Sequence, residues 1–105
     1  MLEKYNVKLS IEAEKDIQNI IIYIKDILKE PIIAKRYAQL IKNEIESLVY
    51  NPKRYAIIDN KKIKDLEVRK LIVKKYIVFY RVNEERKRVN IERILYCASN
   101  WMNKL

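Results

Sequence analysis

Histidine and glycine are absent from this sequence, cysteine occurs once, at Cys97, and proline twice. Each shortage excludes something. Without histidine there is no imidazole for general acid–base work, and with one thiol there is neither an internal disulfide nor a Cys/His zinc site, so the chain is expected to need no metal and no cofactor. A protein stabilised without disulfides fits a reducing compartment, and cytoplasmic localisation is the expectation. No apolar run approaches the roughly 20 residues that cross a bilayer, and the opening Met1-Leu2-Glu3-Lys4 lacks a signal peptide's apolar stretch, so no membrane association is expected. Without glycine, every turn must be made by asparagine and charged residues.

What the chain has in quantity is hydrophobic residues, half of its 105, together with a net charge of +9. The length suits a single domain, residues 1–105, with one core. The charge is unevenly placed. Residues 1–52 hold eight bases and eight acids, whereas residues 53–93 hold fourteen bases and six acids. A surplus confined to one segment points to a directed basic surface for a polyanion or an acidic partner.

Tyr5 to Leu9 alternates Tyr5, Val7 and Leu9 against Asn6 and Lys8, the pattern of a half-buried strand. Ser10 then caps a helix with Glu12, Glu14 and Asp16 in its first turns, where the positive end of the helix dipole favours them. Ala13, Ile17, Ile20, Ile21, Ile24, Ile27 and Leu28 share one helical stripe, so the helix is predicted to run to about Lys29. Pro31 suits the first turn of a second helix. There Ala34, Tyr37, Ala38, Ile41, Ile45, Leu48 and Val49 repeat the stripe, and the short gap makes the two an antiparallel hairpin. Asn51-Pro52 ends it. Asp59 to Lys64 reads as an exposed loop, and Ala98 to Leu105 as a short closing helix that packs Trp101 and Leu105 on the core.

Glu67 to Tyr96 is dense in β-branched and aromatic residues and is read as consecutive antiparallel strands broken once by a charged turn. Tyr76, Val78, Tyr80 and Val82 point one way and Ile77, Phe79 and Arg81 the other. The expected sheet therefore has one face buried under the helices and one basic face, gathering Arg69, Lys70, Lys74, Lys75, Arg81 and Arg93 as target- or phosphate-binding residues. Bland roles compete with this: Tyr76, Tyr80 and Tyr96 as packing aromatics, Arg93 paired with Glu92 or Glu67 across strands, and Cys97 as a small buried residue.

The L-S-x-x-A-x-x-D-I opening from Leu9, the N-P-x-R-Y of Asn51 to Tyr55, the Arg before Y-x-V-F-Y-R-V and the I-x-R-I-L-Y ending at Tyr96 together resemble the RelE/ParE superfamily, toxins of type II toxin–antitoxin systems that include plasmid stabilisation proteins. The resemblance covers nearly the whole chain. It implies an α+β fold: an N-terminal strand, then a long antiparallel helical hairpin packed on a twisted, mainly antiparallel sheet of four to five strands, and a short C-terminal helix. It also implies a growth-inhibiting toxin held by a cognate antitoxin, which the charge surplus makes acidic.

Two kinds of target come with the resemblance: DNA gyrase, poisoned by binding in the ParE-like branch, and ribosome-bound messenger RNA, cut in the RelE-like branch. The long hairpin and N-P-x-R-Y lean to gyrase. As a metal-independent ribonuclease, the chain would rely on Arg69 and Arg81 at the phosphate and Tyr96 for proton transfer or stacking. Relatives usually continue I-L-Y with Arg and Asp, whereas Cys97-Ala98-Ser99-Asn100 stand here. That departure keeps open a third reading, a basic binding domain without toxicity.

Overall fold

The computed structural model describes residues 3–105. Strand β1 (Asn6–Leu9) leads into helix α1 (Ile11–Ile22), whose last turns widen into a π-helical segment, Tyr23–Ile27. Helix α2 (Pro31–Glu46) returns antiparallel, and strands β2 (Arg69–Val73), β3 (Tyr76–Asn83) and β4 (Arg88–Tyr96) follow. The sheet order is β1-β4-β3-β2, with β1 parallel to β4 and the other two pairings antiparallel. This is the α+β arrangement expected, with four strands.

The local signals work as chemistry dictates. Ser10 accepts the Ala13 N–H at 2.9 Å and donates its hydroxyl to the Glu92 carbonyl at 2.8 Å, so one side chain caps α1 and fixes it against β4. Pro31 occupies the first turn of α2. Ala13, Ile20, Ile24, Ala34, Ile41, Ile45 and Leu48 are buried against the helix-side face of the sheet, where Leu71, Val73, Tyr76, Val78, Tyr80, Val89, Ile91 and Ile94 meet them. The stripe of α1 stops short of its expected end. Beyond Ile24 the π segment closes with Leu28 N–H on the Tyr23 carbonyl, five residues back, and this wider turn leaves Ile27 and Leu28 at 66% and 50% exposure.

Two expectations are corrected. The sheet does not have one apolar and one basic face, because a second core of Ile58, Val68, Ile77, Phe79 and Leu95 fills the outer side, with Ile63, Cys97, Trp101 and Met102 packed against it. Trp101 stacks tilted on Phe79 with ring centroids 5.1 Å apart, and the closing helix is the single 3₁₀ turn Trp101–Asn103. The unbroken apolar run Tyr76 to Tyr80, all buried, belongs to a central strand covered on both faces. In addition, the stretch from Val68 onward contains two turns. Lys74 and Lys75 make a two-residue hairpin between β2 and β3, with Lys74 in the left-handed region at φ 56°. The second is the charged connection after Asn83, where Lys87 also takes a positive φ.

Candidate functional site

The bases expected to form one anion-binding face take separate places. Arg93 lies on β4 beside a bulge, where Phe79 pairs with Arg93 but Tyr80 already pairs with Ile91. Its guanidinium grips Asp16 of α1 with two bonds, Nε to Oδ2 at 2.8 Å and Nη2 to Oδ1 at 2.9 Å, and Nη1 donates to the Lys104 carbonyl. Asp16 also accepts the Ile94 N–H at 2.9 Å. Past the end of β1, then, a helix side chain takes over part of the missing strand neighbour's role. Arg93's partner is Asp16, neither Glu92 nor Glu67.

Arg69, on the edge strand, donates to the carbonyls of Lys53 and Tyr55 at 3.1 and 2.6 Å. It thereby closes a junction built from N-P-x-R-Y. Asn51 turns the chain in the left-handed region, Pro52 is buried, and the Pro52 carbonyl accepts the Tyr80 hydroxyl at 2.6 Å. Burial pushes that phenol up to about 12, so it stays a neutral donor. Arg54 folds back over the end of α2, bonding the carbonyls of Ser47, Tyr50 and Asn51 and the Ser47 hydroxyl, and lies 4.8 Å from the centre of the Tyr55 ring. The motif that carries much of the resemblance is therefore a joint between hairpin and sheet.

Arg81 is exposed on the outer face and donates to the Leu66 carbonyl at 2.9 Å. It shares with Arg69 a cleft of about 440 Å³ whose other charged lining residues are Lys53, Glu67, Glu84, Glu85 and Glu92. Four carboxylates against three bases make a poor phosphate clamp. One of them, Glu84, is a hub at the β3–β4 turn: it accepts from the Tyr5 hydroxyl at 2.7 Å, from Lys53 at 2.8 Å and from Lys87, which also pairs with Glu3 at 2.7 Å. Lys53, then Lys87 and Tyr5, hold the Glu84 carboxyl down at about 2, while Glu3 and Glu84 raise the Lys87 ammonium.

Tyr96 stands elsewhere. It pairs across β3–β4 with Tyr76, five residues from Arg81 along β3, or roughly 17 Å at strand rise. Alternation puts it on the helix side, opposite Arg81. Its ring, 46% exposed, meets Tyr76 edge-on at 5.7 Å, and Tyr76 meets Tyr37 likewise at 5.8 Å. These tyrosines line a groove of about 640 Å³ between hairpin and sheet, whose apolar wall includes Ile20, Tyr23, Ile24, Leu28 and Ile33. Sequence reasoning missed this groove. Its signal was an excess of apolar residues at the hairpin tip, Tyr23 and Ile27 to Ile33, beyond what a core stripe requires. Among the described residues no group of His, Cys, Asp and Glu is placed to hold a metal, and no helix is long and apolar enough to span a membrane.

Known proteins share this layout. A sequence profile described as "ParE toxin of type II toxin-antitoxin system, parDE" matches residues 7–101. The chain belongs to that family. Solved structures agree in fold. The toxin is similar to a chain of a chromosomal ParDE toxin–antitoxin system from P. aeruginosa, at a TM-score of 0.71 and 20% identity, over 90% of this chain and 97% of that one. It is also similar to a chain of the RelBE2 toxin–antitoxin complex from Mycobacterium tuberculosis, at 0.62 and 19%, over 91% and 94%. An archaeal RelE–RelB complex from Pyrococcus horikoshii gives 0.55 and 18%, over 90% and 97%. No curated protein sequence matches significantly.

Proposed function

We propose that this toxin stops growth by binding DNA gyrase, and that its antitoxin is an acidic chain whose amphipathic segment lies in the tyrosine-lined groove. The strand register carries the choice of target. Cutting RNA through its 2′-hydroxyl needs phosphate-binding cations and a proton donor around one phosphate. Tyr96 sits roughly 17 Å along the strand from Arg81 and on the opposite face, while Arg69 and Arg93 are occupied by structural partners. A binding mechanism makes no such demand, and the ParE profile supports the same branch. For the antitoxin, support comes from the half-exposed Tyr23 and Leu28 in the groove, from the chain's charge of +9, and from neighbours solved as toxin–antitoxin complexes.

The decisive experiment compares purified toxin on gyrase supercoiling with toxin on translating ribosomes. Loss of supercoiling and accumulation of broken DNA are expected, with messenger RNA left intact. Cleavage within codons, abolished by Tyr96→Phe, would overturn the proposal, and failure to arrest growth at all would leave a non-toxic binding domain. For the groove, Leu28→Glu should weaken antitoxin affinity about tenfold or more with melting unchanged, since Leu28 is half-exposed in the free toxin.

A further inference from the structure

Residues 59–75 hold seven bases against three acids, Asp59, Asp65 and Glu67. Arg69 is committed to the loop carbonyls. The remaining six, Lys61, Lys62, Lys64, Lys70, Lys74 and Lys75, are all exposed, and none makes an ion pair among the described residues. The fold brings three of them to one edge of the sheet. Lys70 stands on the outer face of the edge strand β2, opposite Phe79, and Lys74 and Lys75 form the turn at its end. The loop carrying the other three lies over the outer face instead, where Ile63 packs on the core that Phe79 fills and lines a cleft with Arg81, Glu92 and Arg93.

We infer that this sheet margin binds a nucleic-acid phosphate backbone, with duplex DNA the form its spacing fits. A phosphate backbone asks for spaced cations and no pocket, whereas a bound peptide strand needs pockets for its alternate side chains. Here the clefts described above reach the lysines only at Lys75. From Lys70 to the end of β2 at Val73, where the Lys74-Lys75 turn begins, is about 10 Å at strand rise, on the scale of the ~12 Å width of a major groove, so lysines of strand and turn can reach phosphates on its two sides. Between them Ile72, 59% exposed, offers an apolar contact to the duplex. The binding is sequence-independent and separate from whichever enzyme the toxin poisons.

Fluorescence anisotropy of the purified full chain with a labelled duplex of about 20 base pairs, across about 50–200 mM salt, tests the inference. Lys70→Gln/Lys74→Gln/Lys75→Gln should weaken binding roughly 10²-fold near 100 mM salt and reduce the slope of log K against log salt by about 2 to 3. Lys25→Gln/Lys29→Gln/Lys35→Gln at the hairpin tip, which lowers +9 to the same +6, should change affinity less than about threefold. Equal losses in the two triple variants, or no binding at the lowest salt, would overturn it. Tighter binding of an RNA duplex or a single strand would overturn the choice of DNA. Displacement by poly-glutamate of equal charge, with the same lysine dependence, would make the margin an acidic-protein surface instead.

Discussion

Asp16 shows how much one side chain carries in this toxin. It accepts two bonds from Arg93 and one from the Ile94 backbone, tying α1 to the bulge of β4. Asp16→Ala orphans all three donors at a partly buried site and should cost about 3 kcal/mol in urea unfolding, with Asp16→Asn recovering part of it. A loss below about 0.5 kcal/mol would show that water replaces the carboxylate. Glu84 contributes a pH-dependent part of the stability. Its folded pKa of about 2 lies below its ordinary 4.5, so its stabilising effect is complete above pH 4.5 and disappears as pH falls to about 2. The melting-temperature difference between the wild type and Glu84→Gln should therefore be largest above pH 4.5 and vanish near pH 2. A difference constant with pH would place the effect outside the carboxyl's titration.

Among elements, the β2–β3 hairpin bears the cost of a glycine-free sequence. Lys29, Asn51, Glu67, Lys74 and Lys87 all adopt positive φ, where a Cβ meets the carbonyl oxygen at about 1–2 kcal/mol per residue. At Lys74 a glycine relieves that clash but adds unfolded-state entropy, so Lys74→Gly should stabilise by about 0.5 kcal/mol and raise Tm by a few degrees. An unchanged or lower Tm would mean that the lysine side chain contributes packing in the turn. The hairpin was hidden in the sequence because Lys-Lys carries no turn signature. By contrast the β3–β4 connection announced itself in Asn83, whose side chain accepts the Arg86 N–H at 3.1 Å.

For the molecule as a whole, the charge distribution sets a test of the proposed acidic partner. The N-terminal half is electrically balanced, and the surplus follows residue 52. Antitoxin affinity should fall at least tenfold between about 0.1 and 1 M salt, as screening shortens to about 3 Å. Isothermal titration giving the same affinity at both ends would leave the groove's apolar contacts as the only source of binding.

Periodicity and capping, being local, are legible in the sequence: Ser10 and Pro31 start the helices, the stripes through Ile24 and Ile45 face the core, and the motif order resembles the family that residues 7–101 match. The sequence alone also determined the charge asymmetry and the lack of histidine chemistry. Tertiary structure decided which charges are available. Whether an arginine meets phosphate or a neighbour depends on what the chain brings beside it, and Asp16 reaches Arg93 from 77 residues away. Likewise the second core exists because the 58–68 segment and the C-terminal turn fold over the outer sheet face, so the expected basic face is covered and Lys70, Lys74 and Lys75 are left at its edge. A side chain's alternation along a strand is set by its own backbone, but what covers it is set by distant chain.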